Sequence, residues 1–495
     1  MLRIQGSRRK LCDGLTRRDL LHIGGLGAFG LGLGDALALQ PARAASLPRP
    51  FGQAKHCILL FLFGSPPQHE TFDPKPDAPS DIQGELKAIS TCLPGVAIGE
   101  GLPKIARIMD RLTVVRSLTH PYPLHGVPYA LTGEPTVDAR DETKRDLTRW
   151  PFIGSVVDYL AATGSGQGAP AVPRNIALPF PLYAHVNYPL LAGPYGGFLG
   201  SQYDPLWTAF NGKGTRAVAG QEGRPEDGKG VLDPFAGIDP HSRIELLGSE
   251  GAAGISPGRF DLRRSLLRQF DQTRVALDSP TADAFSAQQS RALALLTGHR
   301  VGEALDLERE PLRTREQYGM TLFGQSTLAA RRLVEAGSRF VTVFWDAYGH
   351  FANGWDTHVD HYPRLKNYLL PGLDQTFSAL ILDLETRGLL DDTLVLCFSE
   401  HGRTPKLDNV RGGGRGHWSR AYSAVFAGGG MGRGHVVGRT DALGGEVDST
   451  PISPKDVLAT AFFLLGIDPA TTVSDRFQRP LPIAGDGVVR RELFG

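Results

Sequence analysis

The segment at residues 394–417 constrains the fold of this 495-residue chain more than any other stretch. Residues 394–398 form an unbroken apolar run, which is typical of a parallel strand that is buried on both faces. Glu400 and His401 follow this run almost directly, and His417 lies beyond a glycine-rich stretch. Ligands of open α/β sheets bind in the crevice beyond the carboxyl ends of the strands. A carboxylate and two imidazoles at this point therefore predict part of a metal site.

A second stretch repeats this order of helix, strand and polar side chains. Residues 315–336 have helical periodicity and residues 339–345 read as a strand, after which come Asp346, His350, Asp356 and His358. A helix predicted over residues 363–387 leads back to the strand at residue 394. Two successive units of this kind predict a βαβ crossover in a parallel sheet, with both groups of polar side chains at one edge.

Two pairs in this second stretch compete for the same role. Asp356 and His358 would share one face if their backbone is extended, because side chains alternate along a strand. Asp346 and His350 would share one face on a helical turn. The sequence leaves both interpretations open.

Ligand-type side chains also follow the first predicted strand, at residues 57–63. The turn after it contains Ser65, Glu70, Thr71 and Asp73. His120 and His125 follow another predicted strand at residues 112–118, and we interpret them as groups that support the ligands or face a substrate.

Residues 55–490 are predicted to form a single α/β domain. Residues 164–258 are rich in glycine, proline and aromatic residues, which favours a loop-rich insertion or a cap over the site. Helical periodicity returns over residues 259–296. A further strand is predicted at residues 422–427 and a further helix at residues 454–465.

The N-terminal residues have the features of an export signal. Residues 16–21, TRRDLL, fit the twin-arginine pattern, and residues 42–44 offer an A-x-A cleavage site. The apolar stretch between them, residues 23–39, is shorter than the ~20 residues that a membrane-spanning helix needs. We therefore predict a twin-arginine signal peptide at residues 1–44 and a linker at residues 45–54. The mature chain would be exported folded by the twin-arginine machinery to the periplasm or medium, with no membrane span.

The net charge and the cysteine content limit which binding partners and which metal ligands are expected. Removal of residues 1–44, which carry seven Lys/Arg and three Asp/Glu, changes the formal net charge from +1 to 1 − 4 = −3. No basic stripe or aromatic RNA-binding motif is present, so no nucleic-acid partner is predicted. The remaining Cys57, Cys92 and Cys397 form no C-x-x-C pair, and any metal would be held by oxygen and imidazole.

An ordered series of motifs runs from about Lys55 to the last predicted helix: FLFGSPPQHETFDPKPDAP, LPKIARIMDRLTVVRSL, GWDTH, LDDTLVLCFSEHGRTP and GRGHW. In this series the chain resembles the exported domain-of-unknown-function family 1501, which is grouped with the sulfatases and alkaline phosphatases. The resemblance implies an α/β fold with a mostly parallel sheet sandwiched by helices and with long loop insertions. It also implies one or two divalent metals that bind a phosphate or sulfate ester, which a threonine, a serine or a modified cysteine attacks.

The same resemblance assigns expected roles to single residues. The superfamily's Asp-His-Gly turn is matched by Glu400-His401-Gly402, and the family's Trp-Asp-Thr-His by Asp356 and His358. His417 matches the histidine of its Gly-Arg-Asp-His-Trp motif. The superfamily's aspartate at the end of the first strand is replaced here by Phe63-Gly64-Ser65. Glu70, which stands where the family usually has Asp, or Asp73 would compensate.

These observations predict an exported metal-dependent hydrolase of phosphate or sulfate esters, carried by small molecules or glycans. Zinc, manganese, calcium or magnesium would be held by five residues: Asp356, His358, Glu400, His401 and His417. Thr71 is the first candidate nucleophile and Ser65 the second, and Arg403 or Arg415 would brace the anion. Two alternatives stay open, a non-catalytic binding or structural protein on a degenerate scaffold, and a metal-dependent mutase or transferase.

Overall fold

The computed structural model describes residues 50–122, 125–135, 137–164, 172–218, 231–247, 299–349 and 354–495. The chain divides into two units, Met1–Phe51 and Gly52–Gly495, and the description below concerns the second. The predicted signal peptide, the predicted helix at residues 259–296 and His350 lie outside the described residues.

Among the described residues, nine strands form one central sheet. In chain order they are β1 (His56–Leu62), β2 (Leu112–Leu118), β3 (Asn175–Leu178), β4 (Leu206–Asn211), β5 (Arg243–Leu246), β6 (Phe340–Trp345), β7 (Thr393–Phe398), β8 (Tyr422–Ala427) and β9 (His435–Val437). Their order across the sheet is β9-β2-β8-β7-β1-β6-β3-β4-β5. Pairing is parallel from β7 through β4 and between β9 and β2, whereas β8 and β5 are antiparallel to their neighbours.

The three central strands position the site. β1 lies between β6 and β7 and is parallel to both, so the carboxyl ends of all three strands meet at one edge. Every residue of β6 and β7 is buried, which agrees with the apolar runs in the sequence. The prediction that the two groups of polar side chains follow strands ending at a shared edge is confirmed.

Helices cover both faces of the sheet. They are α1 (Ser80–Gln83), α2 (Pro103–Ala106), α3 (Val127–Thr132), α4 (Ile153–Thr163), α5 (His299–Leu305), α6 (Leu312–Tyr318), α7 (Leu322–Ala336), α8 (His361–Arg364), α9 (Leu370–Thr386) and α10 (Pro454–Leu464). Val341 and Val343 of β6 pack with α7 and α9 in one apolar core. The ring of Phe340, which points to the other face, lies 5.6 Å from the ring of Phe152 at the start of α4. The predicted α/β class, a mostly parallel sheet between helices, is confirmed.

Two predicted helices differ in detail from the observed ones. The helix predicted over residues 315–336 is two helices, because Gly319 has a φ of +95° and the Thr321 side chain accepts a hydrogen bond from Gly324 N at the start of α7. α8 continues into α9 through a π-helical turn at Leu365–Leu369, and Pro371 is the second residue of α9. Proline lacks the N–H that an α-helix requires at an interior position, which accounts for the irregular turn there.

The segment at residues 164–258, for which a loop-rich insertion or cap is expected, also contains strands. It contributes β3, β4 and β5 to the central sheet, and Gly214–Val218 pairs with Val231–Ile238 in a separate hairpin. These strands are mostly short and bounded by proline or glycine, so their sequences show no long apolar run or clear alternation that would predict a strand.

In the part of the chain that the structure describes, we find no helix with the length and apolarity needed to cross a membrane.

Candidate metal centre

Ligand-type side chains from four short chain segments converge beyond the carboxyl ends of the central strands. They form two triplets, His125–His401–His417 and Asp356–His358–His417, and within each triplet the ligand atoms lie within 4.8 Å of one another. Asp356 and His358 follow β6, His401 follows β7, His417 precedes β8, and His125 follows β2. His417 belongs to both triplets, so the two describe one continuous cluster.

The triplet that contains the carboxylate is the more compact. Oδ1 of Asp356 lies 3.0 Å from His358 Nε2 and 3.2 Å from His417 Nε2, and the two Nε2 atoms are 3.0 Å apart. A tetrahedral cation with ligands at ~2.0–2.1 Å separates those ligands by about 3.3 Å. The three atoms are therefore arranged nearly as ligands of one small divalent ion would be.

His401 has the bonding pattern of a metal ligand. Its Nδ1–H donates to the Gly402 carbonyl over 2.8 Å, which leaves Nε2 as the unprotonated nitrogen. That Nε2 is buried and has no hydrogen-bond partner among the described residues. Burial and the neighbouring imidazoles of His417 and His125 lower the pKa of His401 well below its usual value, so the ring is neutral at neutral pH. Metal-binding histidines commonly donate their other ring N–H to a carbonyl or carboxylate in this way, and the cluster fits a cation.

His125 belongs to the cluster, although the sequence assigned it only a supporting role. Its Nδ1 lies 3.1 Å from Glu400 Oε1, and its ring stacks on Phe63 and lies 4.2 Å from the ring of His417. Burial lowers the pKa of His125, but the hydrogen bond with Glu400 and the negative charges of Asp356 and Glu400 together outweigh it, and the pKa is raised. The sequence signal for this residue was its position just beyond the end of a predicted strand.

Glu400 is in neither triplet, which changes the role predicted for it. Its Oε1 accepts hydrogen bonds from Gly64 N over 2.8 Å and from His125, and its Oε2 accepts one from Ser399 Oγ over 2.6 Å. The carboxylate is therefore held between the end of β1 and His125. This geometry makes Glu400 an orienting group for His125.

The structure does not bring Glu70 and Asp73 into the two triplets. Glu70 is fully buried and forms an ion pair with Arg415 over 2.6 Å. Asp73 lies 3.1 Å from the ammonium of Lys75 and also accepts a hydrogen bond from Thr440 Oγ1. Both carboxylates are thus neutralised or hydrogen-bonded by other side chains.

Of the two competing pairs, Asp356 and His358 lie together in one triplet. Asp346 lies outside both triplets and accepts hydrogen bonds from the backbone N–H groups of Tyr183, over 2.6 Å, and Ala347, over 2.7 Å. Burial raises the pKa of Asp346 to about 7. His350, the residue predicted to pair with Asp346, is not among the described residues.

The two candidate nucleophiles have different surroundings. Ser65 is buried in the turn after β1, where its Oγ lies 2.9 Å from Ser399 Oγ and accepts a hydrogen bond from His401 N over 3.3 Å. Its φ of +74° is unusual for a residue other than glycine. Thr71 is also buried, and its Oγ1 donates to the Pro67 carbonyl over 2.7 Å.

Arg403 supports Asp356 instead of facing a solvent-filled crevice. It is fully buried, and its Nη2 donates to Asp356 Oδ1 over 2.6 Å. Nη2 also contacts the carbonyls of Gly64 and Trp355, Nε donates to the Ser65 carbonyl, and Nη1 donates to the Arg415 carbonyl. Burial raises the pKa of Asp356, but the positive charge of Arg403 and the hydrogen bonds of His358 and His417 together outweigh it, and the pKa lies well below the usual value.

A family model described as "Protein of unknown function (DUF1501)" matches residues 54–494 of this chain. No curated protein matches this chain.

Solved structures that the chain resembles include Ps i-CgsB in complex with k-i-k-neocarrahexaose, at 12% identity over 84% of this chain and 73% of that chain, with a TM-score of 0.36. The lipoteichoic acid synthase LtaP from Listeria monocytogenes is 12% identical over 89% and 78% of the two chains, with a TM-score of 0.35. The PsFucS1 sulfatase from Pseudoalteromonas sp. is 11% identical over 88% and 72%, with a TM-score of 0.37. Such identities and TM-scores carry no conclusion about activity.

Proposed function

The chain belongs to the DUF1501 family of proteins of unknown function, and we propose that it is an exported, metal-dependent hydrolase of phosphate or sulfate esters. The observation that carries this proposal is the neutral imidazole of His401, whose buried Nε2 lacks a hydrogen-bond partner among the described residues. Leaving a buried polar atom unpaired costs free energy, so a group that binds it is the simplest explanation.

The donor set favours one class of cation. Four imidazoles and one carboxylate surround the proposed site, and imidazole suits zinc better than it suits calcium or magnesium. We therefore place zinc first among the four metals considered. When bound, such a cation would act as a Lewis acid on an oxygen of the phosphate or sulfate group.

The surrounding residues prepare the ligands. Glu400 fixes the orientation of His125, and the Gly402 carbonyl fixes the tautomer of His401. Arg403 keeps Asp356 ionised within a buried environment. Ligands held in this way need little rearrangement when an ion binds, which raises affinity.

Ser65 is our first choice for a nucleophile, ahead of Thr71. Its hydroxyl is next to the His401 backbone, and Ser399 Oγ connects it to Glu400 Oε2 through contacts of 2.9 Å and 2.6 Å. This chain of hydroxyls offers the proton of an attacking serine a route to a carboxylate. Thr71 has no such route among its described contacts, since its hydroxyl donates to a carbonyl.

One observation favours the alternative of a metal-binding protein without hydrolytic activity. Both candidate hydroxyls are buried, and the donor groups of Arg403 are used within the protein. Anion-binding enzymes commonly aim an arginine at the substrate. Arg403 would not be available for that task.

Metal analysis of the purified mature protein, followed by an ester panel, tests the proposal. The panel would contain p-nitrophenyl phosphate, bis-p-nitrophenyl phosphate and p-nitrophenyl sulfate. His401→Asn is the informative variant. The amide of asparagine can still donate to the Gly402 carbonyl, but it has no counterpart of the Nε2 atom of histidine. The exposed His241 provides the matched control, His241→Ala.

We expect the wild type and His241→Ala to retain zinc and hydrolyse at least one ester, and His401→Asn to lose both properties. Bound metal without hydrolysis of any ester would favour the non-catalytic alternative. Full hydrolase activity in both His401→Asn and Asp356→Ala would contradict the proposed centre.

A further inference from the structure

We infer that Glu70 is a positioning residue that holds the two ligand-bearing segments, residues 356–358 and 415–417, in register with each other. This inference rests on the metal centre proposed above and assigns Glu70 a task other than coordination. Among the described residues, Glu70 is in neither ligand triplet.

The first link joins Glu70 to the segment that carries His417. Arg415 donates to Glu70 Oε1 through Nη2, over 2.6 Å, and through Nε, over 3.1 Å. Both side chains are fully buried, so the pair is little screened by solvent. Since Arg415 precedes His417 by two residues, this pair limits the movement of the His417 segment.

The second link joins Glu70 to the segment that carries Asp356 and His358. His361 Nε2 lies 3.5 Å from Glu70 Oε1, and His361 Nδ1 lies 2.7 Å from Thr357 Oγ1. Thr357 stands between the two ligands in the chain. His361 and Thr357 are fully buried, so this connection has no competing contact with bulk water.

A third contact closes the set into a ring. The backbone N–H of Arg415 donates to the Thr357 carbonyl over 3.2 Å. The path therefore runs from Glu70 through Arg415, Thr357 and His361 back to Glu70. A closed ring of buried contacts, made of hydrogen bonds and of the 3.5 Å contact between His361 and Glu70, restrains relative shifts that a single contact would allow.

The ligand distances explain why such restraint matters. The Nε2 atoms of His358 and His417 are 3.0 Å apart, and a shift of one segment would change this separation directly. Groups behind the ligands of a metal site typically change metal affinity ~10–100-fold when they are removed.

Glu70→Gln tests the inference, because glutamine keeps the volume of the side chain but cannot form the ion pair with Arg415. Glu310→Gln is the matched control, since Glu310 also pairs with two arginines, Arg331 and Arg332, in the helical layer. The measurements are Co²⁺ affinity by chelator competition, the visible absorption spectrum of the Co²⁺ form, and the melting temperature of the metal-free protein.

We expect Glu70→Gln to bind Co²⁺ at least tenfold more weakly and with a changed spectrum, and Glu310→Gln to melt earlier but bind Co²⁺ as the wild type does. A Glu70→Gln protein that melts earlier but keeps the wild-type affinity and spectrum would overturn the inference.

A second pair of variants tests the ring if Glu70→Gln does not fold. Thr357→Val removes the hydroxyl that contacts His361, and Thr357→Ser retains it. The valine variant should bind Co²⁺ more weakly, with binding restored in the serine variant; equal affinities would overturn the inference. Wild-type protein that binds no Co²⁺ would overturn the proposed function together with this inference, whereas wild-type binding that is unchanged in these variants would overturn the inference alone.

Discussion

Arg403 Nη2 lies 2.6 Å from Asp356 Oδ1, the same oxygen that faces the Nε2 atoms of His358 and His417. Arginine and the imidazoles thus share one carboxylate oxygen inside the protein. The guanidinium compensates the negative charge of Asp356, so the cluster does not need a cation in order to assemble.

Replacing Arg403 should destabilise the protein strongly. Arg403→Met leaves Asp356 buried without its counter-charge, and breaking a buried pair in this way typically costs about 3–5 kcal/mol of unfolding free energy. Urea unfolding of the metal-free protein would measure the loss. Arg439→Met, which removes an exposed pair with Asp448, should change stability little. Similar losses in the two variants would contradict the role given to Arg403.

Stability should depend on pH through His120. Its Nε2 donates to the Glu400 carbonyl over 2.7 Å, and burial lowers its pKa to about 4. Between pH 4 and about 6.5 the unfolded chain binds the extra proton and the folded chain does not. The contribution of His120 to the free energy of unfolding is therefore fully present above about pH 6.5. It is lost as the pH falls towards 4, by up to about 1.4 kcal/mol per pH unit.

Unfolding by urea at a series of pH values, with a chelator present, would test this dependence. His120→Gln keeps an N–H donor for the Glu400 carbonyl but cannot titrate, so its stability should fall less steeply with decreasing pH. Between pH 4 and 6.5, unfolding of the wild type should take up close to one proton more than unfolding of His120→Gln. Parallel curves for the wild type and His120→Gln would contradict the assignment.

His417 should be the most important ligand. It is the member common to both triplets, so His417→Ala disrupts both, whereas His125→Ala and His358→Ala each leave one intact. We expect the metal affinity of His417→Ala to fall furthest, by about 100-fold or more, because ligands matter at least as much as the groups behind them. Chelator competition with zinc would rank the variants, with His241→Ala as the control. A weaker effect at His417 than at His125 or His358 would show that the triplets do not act as one centre.

Export should depend on the paired arginines at positions 17 and 18. The twin-arginine pattern is read by a receptor, so Arg17→Lys combined with Arg18→Lys should keep the protein in the cytoplasm despite the conserved charge. Fractionation of a bacterial host that has a twin-arginine system would measure this. Arg8→Lys combined with Arg9→Lys, outside the pattern, should not impair export. Equal periplasmic amounts of both double variants would remove the basis for the predicted route.

The sequence was sufficient to predict the framework of the site. The apolar runs of β1, β6 and β7 are longer than those of a half-exposed strand, in which apolar and polar residues alternate. Residues directly beyond such buried parallel strands lie at the edge of the sheet where the strands end. Asp356, His358, His401 and His417 meet there as expected. Short strands such as β3 and β5 escaped prediction, because a strand of only four residues is too short to show a long apolar run or a clear alternation.

Which side chains face one another at that edge was decided by the tertiary structure alone. Glu400 and His401 are neighbours in sequence, yet Gly64 N, Ser399 and His125 hold the carboxylate while His401 remains in the cluster. Glu70 pairs with Arg415, which lies 345 positions away in the chain. The order of apolar and polar residues determined by itself where strands end and hence which segments meet. Charge pairing and hydrogen bonding between distant segments, which no local pattern encodes, determined which of the assembled groups lie in the two triplets and which hold those groups in place.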